Sequence, residues 1–279
     1  QLIPRSDASV SIDAPGFLHG ASTFTTMRAH NGVIFGFEHH LARLGDTVAQ
    51  LGLTVGATTR ELYDNTYAVL DANGLSEARV RITLTPGTAT RGSTTLITAD
   101  ALPEYPAEWY TDGIKVIITP MRQLTEDVIF GLKTGCYLPR LLARQQAAAA
   151  GCTDALWFNT EEQLAESCFS NIFLVTESGL LLTPPIHTPV LPGILRETVM
   201  QLAATLEIDV IDDRPLTLQD LLGAKEVFLT SSCMGIRPVV QVEQHTIADG
   251  QVGPITNRIA ASYAQTLDHV CSERPTIPE

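Results

Sequence analysis

The chain has 279 residues and 44% hydrophobic content, enough for one large domain or two modest ones around a substantial core. Its 18 basic residues against 31 acidic ones give a net charge of −13, which repels a phosphate backbone and an anionic lipid surface and argues against nucleic-acid and membrane partners. No apolar run approaches the roughly 20 residues that span a bilayer. Gln1-Leu2-Ile3-Pro4-Arg5 lacks the apolar core of a secretion signal, so a cytoplasmic protein is expected.

In chain order, Asn31-Gly32 is a hairpin signal between Thr25-Thr26-Met27-Arg28 and Val33-Ile34-Phe35, and predicts a small antiparallel sheet. Leu41, Leu44, Val48 and Leu51 follow a helical period over 38–51. A second helix is predicted over 61–73, closed by Gly74. Residues 78–84 and 94–99 read as strands, joined by a loop that carries Arg91. The segment Leu102-Pro103-Glu104-Tyr105-Pro106-Ala107-Glu108, with two prolines and few aliphatics, is the best linker. A boundary there predicts a small N-terminal α+β domain over 1–106 and a larger α/β domain over 107–279.

Past the linker, 114–118 reads as a strand, and the apolar stretch 128–132 as a strand running into Lys133. Pro139 to Ala150 is alanine-rich, with proline in its first turn and Gly151 after its end, the asymmetry of a helix. Residues 155–158, 171–175 and 227–230 read as strands and 197–206 as a helix, with a Ser-Ser turn after Thr230. Five cysteines, Cys136, Cys152, Cys168, Cys233 and Cys271, are odd in number and scattered, with no C-x-x-C pair for zinc or a redox dithiol.

For chemistry, lysine is the informative residue, because there are three: Lys115, Lys133 and Lys225. Lys115 alternates within a strand pattern and Lys225 follows Gly223-Ala224, both positions that usually face water. Lys133 lies between an apolar stretch and Thr134-Gly135-Cys136-Tyr137. A lysine drawn out of water can condense with an aldehyde, although a satisfied structural lysine remains an open alternative. Pyridoxal phosphate (PLP) is such an aldehyde; it also needs a phosphate site, a carboxylate for its pyridine nitrogen and a donor for its phenolic oxygen. Leu191-Pro192-Gly193-Ile194-Leu195-Arg196 reads as a loop opening a helix, which frees the N–H groups of Ile194 and Leu195 for an anion. Glu166 could meet a pyridinium, and Ser231 and Ser232 could donate to phosphate. A plain helix cap, a solvated turn acid and an ordinary Ser-Ser turn are the competing readings of these three.

Together, Lys133-Thr134-Gly135-Cys136-Tyr137-Leu138, Glu166-Ser167-Cys168-Phe169-Ser170-Asn171-Ile172-Phe173, Leu191-Pro192-Gly193-Ile194, Phe228-Leu229-Thr230-Ser231-Ser232 and Ile236-Arg237-Pro238-Val239 resemble the ordered signature of the class IV aminotransferases. These are the fold-type IV PLP enzymes: branched-chain and D-amino-acid aminotransferases and aminodeoxychorismate lyase. Near the N-terminus, Gly20-Ala21-Ser22-Thr23-Phe24-Thr25-Thr26-Met27-Arg28 and Glu38-His39-His40-Leu41-Ala42-Arg43-Leu44 resemble it as well. The resemblance implies the D-amino-acid-aminotransferase-like fold, a homodimer and bound pyridoxal 5'-phosphate. It assigns the Schiff base and the moving proton to Lys133, the pyridine nitrogen to Glu166 and the phenolic oxygen to Tyr137. It assigns the phosphate to Arg43, the backbone of Ile194 and Leu195, Ser231 and Ser232, and the substrate to Phe24, Arg91 and Cys233. Leu195 and Ser232 each stand where the family has threonine, which costs a hydroxyl contact at the first and keeps one at the second. The implied reaction is amino transfer between an amino acid, of branched-chain or D-amino-acid type, and a 2-oxo acid. Lyase chemistry giving 4-aminobenzoate and pyruvate is the alternative, with a non-catalytic PLP-binding protein behind it.

Overall fold

Asn31 and Gly32 both take positive φ, 51° and 74°, the backbone of a two-residue hairpin turn whose twist matches its strands. In the computed structural model, which describes residues 1–275, a short helix α1 (Pro15–Leu18) precedes this hairpin of β1 (Thr23–His30) and β2 (Val33–Ile34). Two helices follow, α2 (Phe37–Gln50) and α3 (Thr59–Ala72), then β3 (Ala78–Thr85) and β4 (Thr94–Ala101). The four strands form an antiparallel sheet in the order β2-β1-β3-β4. Phe37, His40, Leu41, Leu44 and Thr47 recur at helical spacing on the buried side of α2. Thr58 and Glu61 close a capping box at the start of α3. Both helices pack on the sheet face bearing Met27, Ala29, Val80 and Ile82. Strand alternation therefore puts Phe24, Thr26, Arg79, Arg81 and Thr83 on the other face.

The second unit begins at Glu104 with α4 (Glu108–Thr111) and β5 (Ile114–Gln123), then α5 (Leu138–Ala149), β6 (Asp154–Asn159), β7 (Leu164–Ser167), β8 (Asn171–Val175) and β9 (Leu181–Leu182). It continues through α6 (Ile194–Thr205), β10 (Val210–Ile211), α7 (Leu218–Leu222), β11 (Glu226–Ser231), β12 (Gly235–Val242), β13 (His245–Thr246) and α8 (Pro254–Val270). Its mixed sheet runs β10-β9-β8-β11-β12-β5-β6-β7, with β13 on β12. In β6, Leu156 and Phe158 enter one core with Ile172, Leu174, Val227 and Leu229. Ala155 and Trp157 enter another with Ala143 and Ala147 of α5, so this sheet is covered on both faces. That is why its central strands are buried without alternation.

Two features differ from the sequence reading, and one of its competing alternatives falls. Residues 128–132 are not a strand: Asp127 accepts from the N–H of Ile129 through Oδ1 and from Phe130 through its carbonyl. The turn this builds leaves Val128 76% exposed. Glu166 is no solvated turn acid; it lies within β7 and is 3% exposed. Lys133–Cys136 and the described chain from Leu267 group with the first unit rather than falling after a boundary at residue 106. Backbone bonds from Phe24 N to Lys133 O (2.9 Å) and from Gly135 N to Ser22 O (2.7 Å) account for the one. The ion pair of Arg274 with Asp71 accounts for the other.

Candidate active site

In the first unit, Lys133 is anchored through its carbonyl, which accepts from Phe24 N and from Thr23 Oγ1 at 3.0 Å. Its Nζ stands 4.8 Å from the centroid of the buried Phe24 ring, an attractive arrangement for an ammonium. Lys115 is exposed on β5, and Lys225 is exposed in the bend before β11, where it pairs with Glu177. Arg81 of β3 lies over the same Phe24 ring, 3.6 Å from its centroid, and its Nε donates to Thr83 at 3.0 Å. On the helix-covered face, Arg43 Nη2 reaches Thr25 Oγ1 and His40 Nδ1, each at 3.4 Å, while Thr25 and His40 lie 2.7 Å apart. His40 is completely buried. Desolvation, then the charges of Arg43, Lys133 and His39, hold its pKa well below 6.5, so a neutral imidazole abuts the guanidinium.

In the second unit, Glu166 Oε1 accepts from Arg140 Nη2 at 2.5 Å and Oε2 from the N–H of Leu191 at 3.2 Å. The carbonyl of Leu191 accepts in turn from Asn171 Nδ2 at 2.8 Å. Asn171 pairs across strands with Thr230, one residue before Ser231. Glu166, the loop entering α6 and the turn after β11 are thereby tied into one frame. Gly193 precedes α6 and no side chain caps that helix, so the first-turn N–H groups of Ile194 and Leu195 lack intrahelical partners while both residues are buried. Thr230 Oγ1 is buried with no hydrogen-bond partner among the described residues. Ser231 Oγ accepts from Met234 N at 3.3 Å, and Ser232 and Cys233 form the half-buried turn into β12. Tyr137 stacks on Phe169 with ring centroids 5.8 Å apart and lies 5.7 Å from the Arg140 guanidinium.

Within each unit, then, most of the expected residues fall into a connected group: Lys133 with Phe24 and Arg43 with Thr25 in one, Glu166, Tyr137, Ile194, Leu195, Ser231, Ser232 and Cys233 in the other. Arg91 does not join them; it is exposed in a tight turn where its N–H meets Thr88 Oγ1 at 3.2 Å. Four residues in contact with these escaped the sequence reading: Arg81, His40, Asn171 and Arg140. Arg140 did leave a signal. It is the third residue of α5, where the positive end of the helix dipole disfavours a cation, so a carboxylate partner was to be looked for.

The family model for class IV amino-transferases matches residues 22–242. Over 94% of this chain and 93% of its own length, a Methanocaldococcus jannaschii protein provisionally assigned as a branched-chain-amino-acid aminotransferase is 33% identical. The D-alanine aminotransferase of Bacillus licheniformis is 27% identical over 96% of this chain and 95% of its own. A crystal structure of the Escherichia coli branched-chain amino acid aminotransferase superposes with a TM-score of 0.91 at 26% identity, covering 96% of this chain and 92% of that one.

Proposed function

The chain belongs to the class IV aminotransferases, and from that membership we propose which of its residues carry the amino transfer and what substrate they accept. The cofactor of this class is pyridoxal 5'-phosphate, and the residues fit it. α6 starts buried and uncapped and packs against β11, whose Thr230 hydroxyl is buried with no partner among the described residues, which suits a phosphate. Glu166 is buried with a fixed hydrogen-bond geometry, which suits a pyridine nitrogen. When bound, the coenzyme supplies an aldehyde for the amine and a sink for the electrons left at Cα.

The single observation that carries the assignment is the contrast among three lysines: Lys115 is exposed on β5, Lys225 is exposed in the bend before β11, and Lys133 is set against a buried aromatic ring. On this reading Lys133 would be the residue that holds the coenzyme, and its Nζ would serve as the base that takes the proton from the substrate Cα and hands it back. Arg43, kept in place by Thr25 and a neutral His40, holds the phosphate with the N–H groups of Ile194 and Leu195 and the hydroxyls of Ser231 and Ser232. Tyr137 donates to the phenolic oxygen and Glu166 keeps the ring nitrogen protonated. At the substrate, Phe24 and Cys233 meet the side chain, and Arg81 and Arg91 offer guanidinium groups to a carboxylate. Arg81 is the better placed, because it shares the Phe24 ring with Lys133.

The substrate is an amino acid of branched-chain or D-amino-acid type with a 2-oxo acid as acceptor. The protein works as a homodimer, for which Leu138, Leu141 and Leu142 form an exposed apolar edge on α5. Its compartment is the cytoplasm, in keeping with five free cysteines. Incubation of the purified protein with single L- and D-amino acids and 2-oxoglutarate, followed by amino-acid analysis, tests the reaction. New glutamate from a branched-chain or D-amino acid is expected. Release of 4-aminobenzoate from aminodeoxychorismate with no amino transfer contradicts the proposal.

A further inference from the structure

Resting on the assignment of Glu166 to the pyridine nitrogen, we propose that Arg140 is a positioning residue for the reaction: it locks the Glu166 carboxylate and offsets part of its charge, and so sets how firmly the coenzyme ring nitrogen keeps its proton.

Arg140 spends its donors on one short segment. Nη2 binds Glu166 Oε1 at 2.5 Å, and Nη1 binds the carbonyls of Ser167 at 2.9 Å and Cys168 at 3.2 Å. The planar fork thus reads the carboxylate and the two residues after it as a unit, which a single ammonium cannot do. Tyr137 and Trp157 lie with ring centroids 5.7 and 5.9 Å from the guanidinium carbon. Burial is the largest single influence on Arg140 and lowers its pKa, but the charges of Glu166 and Tyr137 and the hydrogen bond to Glu166 together outweigh it, and the pKa is raised. Arg140 is therefore a fixed cation.

Two facts separate this role from plain structural pairing. A buried ion pair is a weak stabiliser beside an apolar pair of equal volume, and the cation here sits at the wrong end of its helix. The pair therefore adds little to the fold. Each Glu166 oxygen, in addition, has one protein donor and a second lone pair still open. A carboxylate held on two sides and paired with a cation presents the ring nitrogen with an acceptor of fixed geometry and partly offset charge. Without Arg140 the Leu191 N–H alone would hold it.

The test uses the holoenzyme with Arg140→Gln, Arg140→Lys, Glu166→Gln and the Arg140→Gln, Glu166→Gln double variant. The readouts are the coenzyme dissociation constant, the pH midpoint of the visible absorbance of the bound coenzyme, and kcat and KM. Removing a buried cation favours protonated forms nearby, so Arg140→Gln is expected to raise the midpoint by about one unit. It should also weaken coenzyme binding about tenfold and lower kcat far more than it changes KM. Arg140→Lys should return the midpoint to the wild-type value, and the double variant should lose no more kcat than Glu166→Gln alone. Wild-type midpoint and kcat in a folded Arg140→Gln protein, or losses that add fully in the double variant, overturn the proposal. Should the glutamine variant not fold, Arg140→Lys decides alone: kcat reduced about fivefold or more at an unmoved midpoint is expected, and a wild-type kcat overturns it. A wild-type protein with no coenzyme absorbance would overturn the underlying site assignment, a result distinguishable from failure at Arg140 alone.

Discussion

His40 is the residue whose protonation bears most directly on the fold. It is held neutral by burial and by the cations around it, so acid protonates the unfolded chain first. With the folded pKa depressed below 6.5, stability is full above that value and falls as pH drops below it. The loss should run at about 1.4 kcal/mol per pH unit until the folded pKa is reached. His40→Asn keeps an acceptor for Thr25 and removes the titration. Thermal unfolding of both proteins from pH 7.5 to about 5 should show the wild type losing stability faster; parallel slopes would mean that His40 is not the group responsible. His40 itself was passed over in the sequence because a lone histidine on a helix is unremarkable until Thr25 and Arg43 are brought to it. Lys133 and Glu166 stand out in the sequence because their residue types are rare or motif-bound. The position of Arg140 at a helix start signals a missing carboxylate but not that it stands 26 positions away.

Among the elements, α6 and its entry loop carry the phosphate proposal, and the loop is tightly built. A Cβ on Gly193 would overlap Asn171 Oδ1, the residue whose amide also holds the Leu191 carbonyl. Gly193→Ala should therefore cost about 1–3 kcal/mol in thermal unfolding. Coenzyme affinity should fall about tenfold, since the α6 N–H groups move with the loop. Unchanged affinity in a destabilised protein would detach the helix start from phosphate binding. Elements with local signals were readable: the Asn31-Gly32 hairpin, the α3 cap with Gly74, and the proline-led α5. Those decided by distant partners were not. β12 contains a buried Arg237, which reads as surface until Asp154 meets it at 3.1 Å and Ser170 at 3.0 Å. The start of α8 is capped by the buried Glu226, which accepts from Ile255 N and Thr256 N. The stretch 128–132 was misread because its apolar composition suits a strand, while Asp127 supplies the turn hydrogen bonds that win.

For the whole molecule, composition and motif order were enough for the fold class, because a helix-covered antiparallel sheet in one unit and a mixed sheet covered on both faces in the other follow from the order of helices and strands. The grouping of Lys133–Cys136 with the N-terminal unit was not legible, since it rests on backbone bonds to Ser22 and Phe24. Assembly is the other property at this scale. Leu138 and Leu141, 65% and 52% exposed on α5, are costly to leave in water, and Leu141→Glu should shift the protein from dimer to monomer in sedimentation velocity. A wild-type chain that is already monomeric would remove the homodimer from the account.

The central claim is that one of three lysines carries the coenzyme. Borohydride reduction of the purified protein with pyridoxal 5'-phosphate, followed by peptide mass mapping, tests it most directly. The phosphopyridoxyl mass is expected on the peptide containing Lys133 and on no other. Its appearance on Lys115 or Lys225, or its persistence in Lys133→Ala, would contradict the site described above.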